Sequence, residues 1–138
     1  MINLNIEIHI KQQITNSEGT VTFDLITTGT LIKKAHTYIM YKETIDDILT
    51  DVRVKVEDER VRINRKGQLT LDFLFVPYET TQNMYHLANQ KTVMEVTTNQ
   101  MFIESDEHSG KVYIQYTIVN NQTVLGSYTY DIEYKERV

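Results

Sequence analysis

The sequence contains no cysteine, which excludes disulfide bonds, thiolate metal sites and a cysteine nucleophile. A chain without cysteine is typical of a reducing compartment, and we expect a cytoplasmic protein. The first residues, MINLNIEIHIKQQ, have neither a basic leader nor an uninterrupted apolar run. They therefore predict neither a signal peptide nor a membrane span, and we expect no membrane partner.

Proline and glycine are also scarce, with one proline and five glycines among the 138 residues. Little of the chain can form disordered linkers, and its length suits one domain, which we place at residues 1–138. Acidic residues outnumber basic ones by 19 to 14, which gives a formal charge of −5. That sign repels nucleic acid, so no nucleic-acid partner is predicted.

Residue patterns typical of enzymes and metalloproteins are missing as well. The four histidines are scattered without a metal-binding spacing, so we predict no metal site. The segment SDEHSG contains serine, aspartate and histidine, but a catalytic triad assembles them from separate elements, and the segment predicts a turn. With no phosphate-binding glycine loop either, we predict no cofactor and expect a non-catalytic protein.

What the sequence does contain is apolar residues at every second position, which predict strands. In INLNIEIHI, for example, Ile6, Ile8 and Ile10 share a face opposite Glu7 and His9. Such runs recur between short turns and predict about 8–10 strands. Because the same alternation continues from the first run to the last, we predict an all-β fold. It is a single up-and-down antiparallel barrel, whose closure removes exposed edges.

Three details of this barrel are less regular. Gly29 interrupts the second run, which predicts a bulge or a sharp bend. Residues 44–51, TIDDILTD, fit either a loop or one helical turn. Residues 81–90 fit either a short helix or a hairpin, and we favour the hairpin.

The segment VRVKVEDERVRINRKG, residues 52–67, predicts a hairpin that turns at Asp58 and Glu59. Side chains alternate with a period of two, so Arg65 shares the apolar, lumen-facing side of Val61 and Ile63. A buried guanidinium needs a partner, and Glu43 is the predicted one. The pair could be structural, Arg65 could reach solvent at the barrel mouth, or it could anchor a ligand carboxylate.

Two further groups of residues are candidate sites. The outer face of the same hairpin carries a basic patch, formed by Arg53, Lys55, Arg60 and Arg62. This patch is either a solvated surface or a docking surface for an acidic partner. The second group consists of tyrosines that either pack the core or line a ligand cavity, namely Tyr41, Tyr116, Tyr128 and Tyr130.

Several short motifs lie in the order found in a known family. They are T-x-G at Thr27 and Gly29, Y-x-x-Y-x-E at Tyr38, Tyr41 and Glu43, R-x-G at Arg65 and Gly67, Phe75, and Thr97. Over nearly its whole length the chain resembles the YwiB-like domains of unknown function, found mainly in Firmicutes. The resemblance implies a calycin-like barrel, similar to lipocalins and fatty-acid-binding proteins, with no established activity. The chain departs from the family pattern at MYHLANQK, residues 84–91, where a Tyr, Thr and Gly hairpin is expected.

Two functions follow as hypotheses. The first is a barrel that binds a small, partly apolar or carboxylate ligand in its lumen, with Arg65 and Glu43 as polar anchors. The alternative is a protein–protein interaction module with a packed barrel, whose basic outer hairpin binds an acidic partner. Neither hypothesis fixes the oligomeric state.

Overall fold

One antiparallel sheet, closed into a barrel, contains every strand of the computed structural model, which describes residues 2–45, 47–87 and 90–137. The strands are β1 (Ile2–Asn16), β2 (Gly19–Lys33), β3 (Thr37–Ile45), β4 (Ile48–Val56), β5 (Val61–Lys66), β6 (Leu69–Phe75), β7 (Thr80–Leu87), β8 (Gln90–Ser105), β9 (Ser109–Asn120) and β10 (Thr123–Glu136). Each strand pairs with its neighbours in sequence, and β1 pairs with β10. The predicted up-and-down barrel is confirmed, with ten strands in the described ranges.

The alternating pattern places one face of each strand in a common core. On β1, Ile6 and Ile8 are fully buried, whereas Glu7 between them is exposed. Each fully buried aliphatic side chain of this size stabilises the fold by about 1.5–3 kcal/mol relative to an exposed one. Nine of the ten strands contribute apolar side chains to this core, and among the described residues the buried side chain of β7 is the polar Asn83. The lumen is therefore lined mainly by apolar groups.

The hairpin of β4 and β5 has the predicted register. Val56 lies opposite Val61, and Lys55 lies opposite Arg62. The turn is closed by the N–H of Glu57, which donates to the Arg60 carbonyl oxygen at 2.9 Å. This register directs Arg65, two residues beyond an inward residue of β5, into the lumen.

The two ambiguous segments are both strand hairpins. β3 continues to Ile45 and β4 begins at Ile48, so the prediction of a loop or one helical turn at 44–51 is wrong. The favoured two-residue hairpin turns need residues with positive φ, and Asp47 has a φ of 65°. The other residue of this turn, 46, lies outside the described residues. β7 and β8 bear out a hairpin rather than a helix at 81–90, of which residues 88 and 89 lie outside the described residues.

The ladder between β2 and β3 is short and ends at a glycine. β2 pairs with β3 only from Gly29 to Lys33, so residues 19–28 of β2 pair with β1 alone among the described residues. A Cβ atom at Gly29 would collide with the carbonyl oxygen of Met40, a backbone atom that cannot move aside. Gly29 therefore allows a close approach at the point where the two strands separate, and we call this separation the seam.

Within the described ranges, no helix has the length and apolar character needed to cross a membrane.

Candidate functional site

A single ion pair occupies the lumen near the seam. Arg65 is directed inward from β5, where it lies between Val52 of β4 and Leu71 of β6 in the sheet. Its Nε donates to Oε1 of Glu43 at 3.0 Å, and the two side chains are only 15% and 6% exposed. The structure thus brings together the two residues that the sequence paired.

The ion pair bridges two strands that are not neighbours. Glu43 projects from β3 on the same face as Tyr41, and β4 lies between β3 and β5. Strands two apart are separated by about 10 Å, a gap that only two long side chains can bridge. The pairing of glutamate with arginine therefore suits this position, where shorter side chains would leave the guanidinium without a partner.

Two tyrosines complete a polar cluster around this ion pair. The hydroxyls of Tyr41 on β3 and Tyr130 on β10 are 2.7 Å apart and share a hydrogen bond across the lumen. The guanidinium carbon of Arg65 lies 5.7 Å from the centre of the Tyr130 ring, within range of a cation–π interaction. Arg65 therefore interacts with both walls of the barrel.

An aromatic column continues from this cluster. Tyr116 on β9 stacks against Tyr128 on β10, with ring centres 5.2 Å apart and planes inclined by 10°. On its other side, Tyr116 contacts Phe75 at a centre-to-centre distance of 4.7 Å. Tyr116 is buried and Tyr128 only partly so, which means that the column leads from the core towards solvent.

Burial determines the charge state of the cluster. It raises the pKa of Tyr116 to about 12 and raises the pKa of Tyr130 well above the ordinary value, so both hydroxyls stay protonated at neutral pH. Burial also acts to lower the pKa of Arg65, but Tyr41, Tyr130 and Glu43 together outweigh it and raise that pKa. The lumen therefore holds one permanent cation, and the neutral hydroxyls around it can donate or accept hydrogen bonds.

One nitrogen of the guanidinium is unsatisfied. Nη2 of Arg65 is buried and has no hydrogen-bond partner among the described residues. Leaving a buried donor without an acceptor costs about 1–3 kcal/mol, and more for a charged group. A carboxylate is the acceptor that best matches the planar guanidinium, so the geometry leaves a donor available for an anionic group.

The inner surface continues from this donor to exposed apolar side chains. Tyr130 lies directly opposite Gln12 of β1, and Gln12 lies opposite Phe23 of β2. Because neighbouring strands are about 4.8 Å apart, Phe23 lies roughly 10 Å from Tyr130 on the same face. The side chains of Phe23 and Val21 are 52% and 53% exposed. A luminal polar group and an exposed apolar surface are therefore parts of one face.

The basic patch on the outer hairpin is largely neutralised by carboxylates. Arg62 Nη1 contacts Asp72 Oδ1 at 3.0 Å, while Lys55 and Arg60 lie 3.7 and 3.5 Å from the Glu57 carboxylate. The patch is therefore a compensated surface rather than a continuous positive field.

Arg53 is the exception, because it forms no ion pair with a carboxylate in the described part of the chain. Its guanidinium carbon lies 5.9 Å from the centre of the Tyr38 ring. Arg53 also lines an open groove of about 990 Å³ that lies outside the barrel at the seam. The charged residues of this groove are Lys42, Arg53, Arg62 and Lys66, together with Asp51 and Asp72. These charged side chains project from the outer face of the sheet, but the lining of the groove also includes Tyr41 of the luminal cluster and Val52, the register partner of Arg65.

Asn83 is a structural residue that the sequence did not single out. The ladder between β6 and β7 ends at the pair Asp72–Met84, and Asn83 closes the gap beyond it. Its Oδ1 accepts the N–H of Leu74 at 2.7 Å, and its Nδ2 donates to the Thr81 carbonyl at 3.1 Å. In the sequence, Asn83 is only an asparagine inside an ambiguous segment. Nothing there shows that it bonds to the backbone of β6.

Several histidines lie beside carboxylates on the outer surface. His9 Nε2 lies 2.6 Å from Asp24 Oδ1, and His108 Nδ1 lies 2.6 Å from Glu136 Oε2. The described ranges contain no group of three or more histidine, aspartate or glutamate side chains arranged to hold a metal ion.

Comparison with known proteins identifies the family and the fold. The family model described as Domain of unknown function (DUF1934) matches residues 8–132. The crystal structure of the ywiB protein from Bacillus subtilis is similar over 99% of this chain and 94% of that one, with a TM-score of 0.87. The two sequences are 22% identical, so this similarity shows the fold alone, a closed antiparallel barrel that has ten strands in the described ranges. The curated proteins include no match.

Proposed function

The chain belongs to the family Domain of unknown function (DUF1934), and from this premise we propose a binding function for its barrel. The protein is a non-catalytic barrel that binds a small, partly apolar carboxylate in its lumen, with the carboxylate on Arg65. The observation that carries this proposal is Nη2 of Arg65, which is buried and without a partner among the described residues. Glu43 occupies only Nε, so an incoming carboxylate need not displace it.

The apolar part of the ligand has a matching surface. The inner face that starts at Tyr130 ends at the exposed side chains of Phe23 and Val21, on the free part of β2. A short alkyl chain could therefore lie along this face while its carboxylate reaches Arg65. Small sites of this kind usually combine an apolar wall with a few fixed polar groups, as this face does.

The cellular location of the protein and its lack of nucleic-acid and membrane partners remain predictions. We propose a cytoplasmic location, which the lack of cysteine in the sequence supports. The formal charge of −5 supports the absence of nucleic-acid and anionic-membrane partners.

Calorimetric titration with decanoate and with decanol tests the proposal, because the two probes share an alkyl chain and differ in the carboxylate. The informative variant is Arg65→Lys, which keeps a cation to pair with Glu43 but has no planar fork. Losing a charge-assisted hydrogen bond costs about 1.5–3 kcal/mol, so decanoate affinity should fall by roughly 10- to 100-fold. Arg53→Lys, the same substitution on the outer face, is the matched control.

The expected result is binding of decanoate but not of decanol to the wild-type protein, with weak binding to Arg65→Lys and unchanged binding to Arg53→Lys. Equal affinity of wild type and Arg65→Lys would show that the carboxylate does not contact Arg65. If Arg53→Lys alone weakens binding, the outer groove holds the anion and the luminal site is wrong.

The alternative function is docking of an acidic partner on the outer basic hairpin. The groove at the seam supports it, since Arg53 and Arg62 of the basic patch both line that groove. It ranks second because three of the four patch residues already pair with carboxylates, Arg62 with Asp72, and Lys55 and Arg60 with Glu57. Exposed pairs of this type contribute about 0–1 kcal/mol each, and a partner would have to compete with them.

A further inference from the structure

We propose that the free edge of β2 joins two copies of this chain into an antiparallel, two-fold symmetric dimer. The interacting segment is residues 19–28, which pair with β1 on one side and with no described strand on the other. In an antiparallel ladder, alternate residues direct their N–H and C=O groups to each side. About five residues of this segment therefore present unpaired backbone groups to solvent.

The free edge lacks the features that normally prevent strand pairing. Proteins protect exposed edges with lysine, proline, bulges or covering loops. The segment GTVTFDLITT contains no lysine, arginine or proline. Its only charge is Asp24, whose carboxylate lies 2.6 Å from the His9 ring on the paired side. The segment also exposes apolar side chains on both faces, with Phe23 on one and Ile26, 68% exposed, on the other.

A second long hairpin, β8–β9, also extends past its neighbour, β7, but its turn is held by other strands. Lys33 Nζ donates to the Asp106 carbonyl at 2.8 Å, and the N–H of Glu136 donates to the His108 carbonyl at 2.7 Å. In the β1–β2 hairpin, β1 pairs with β10 as far as Thr15. The β2 side of that hairpin, residues 19–28, pairs with no element other than β1 in the described ranges.

A second copy of this chain is the partner that fits this edge best. An antiparallel pair of identical strands is self-complementary, so every unpaired group meets its counterpart across a two-fold axis. A register centred on Phe23 pairs the two Phe23 rings and places Val21 opposite Leu25. It also places Asp24 opposite Thr22 instead of a second Asp24, which avoids opposing like charges. The charge pattern of the strand is therefore compatible with a register centred on Phe23.

Sedimentation velocity over a concentration series tests the dimer. Phe23→Lys places a charge on the free edge and should weaken dimerisation by at least about tenfold. Phe102→Lys is the matched control, since Phe102 is 51% exposed and Phe23 is 52% exposed, but Phe102 lies on β8. The control should dimerise like the wild type, and far-ultraviolet circular dichroism should show that both variants fold.

Cysteine cross-linking tests the register, and the absence of native cysteine makes each single-cysteine variant unambiguous. Oxidation should link Phe23→Cys into a covalent dimer. Thr28→Cys should stay unlinked, because in this register its two copies are more than about 30 Å apart.

If the wild-type protein sediments as a monomer at every concentration, the proposal is overturned. An extended peptide of another protein is then the remaining partner for this edge. Equal weakening by Phe102→Lys, or cross-linking at position 28 instead of 23, would place the interface elsewhere and also overturn it. Phe23 belongs both to this interface and to the apolar wall of the proposed luminal site, so Arg65→Lys separates the two proposals: it should lose decanoate and still dimerise.

Discussion

Replacing Arg65 with leucine is the most direct perturbation of the lumen. In Arg65→Leu the side chain of Glu43, 6% exposed, loses its partner at 3.0 Å. Removing one member of a buried ion pair destabilises a protein by about 3–5 kcal/mol, because the remaining charge is left uncompensated. We expect a loss of free energy of unfolding in this range at neutral pH.

A double-mutant cycle separates the ion pair from the loss of packing. Replacing a buried pair by apolar residues is often neutral or stabilising by about 1–4 kcal/mol, so Arg65→Leu combined with Glu43→Leu should recover most of the loss. The coupling free energy between the two positions should then amount to several kcal/mol, far above the usual error of additivity of about 0.5 kcal/mol.

Urea unfolding measures these free energies, with the midpoint expected to change and the slope to stay constant.

The matched control is the outer pair of Arg62 and Asp72, whose N···O distance is also 3.0 Å but whose side chains are 38% and 46% exposed. Arg62→Leu should cost less than about 1 kcal/mol, because solvent screens an exposed pair. If Arg65→Leu proves as harmless as Arg62→Leu, Glu43 does not depend on Arg65 and the buried ion pair has no structural role.

Two further predictions concern the core. Burial raises the pKa of Tyr116 from 10.0 to about 12, so the folded protein keeps a proton that the unfolded chain loses. Stability should therefore fall as the pH rises from about 10 to 12, and Tyr116→Phe should reduce that fall by roughly 2–3 kcal/mol in urea melts; an unchanged pH profile would contradict the assignment. Asn83→Ala removes the acceptor of the Leu74 N–H and should lower the free energy of unfolding by about 1–3 kcal/mol. Thr80→Ala, at an exposed neighbouring position, should cost less than about 1 kcal/mol in the same urea melts, and equal losses would contradict a specific role for Asn83.

Alternation along the chain was sufficient to predict most of the barrel. Each one-residue slip of register would exchange the two faces of a strand, so Ile6 and Ile8 fix the orientation of β1 without knowledge of its partners. The same rule directed Arg65 into the lumen from the phase of Val61 and Ile63. These predictions succeed because the side-chain period of a strand depends on the backbone alone.

Contacts across the lumen could not be predicted in this way. Tyr41 and Tyr130 are 89 residues apart in sequence, and their hydrogen bond exists only because β10 returns to pair with β1. The strand length at 44–51 was missed for a related reason. The TIDDILTD pattern is weak by itself, and pairing in the sheet extends β3 to Ile45 and starts β4 at Ile48. In each case, tertiary pairing decides what the local sequence leaves open.

The seam gives the exposed inner face of β2 and its free edge a common origin. Because the Met40 carbonyl leaves no room for a Cβ atom at position 29, only glycine permits the approach after which β2 leaves β3. The separation of the two strands exposes the inner face near Phe23 and, at the same time, leaves one side of the backbone of residues 19–28 unpaired. A barrel fully paired between β2 and β3 would protect that edge. The exposed inner face near Phe23 and the unpaired strand edge are therefore two consequences of one incomplete ladder.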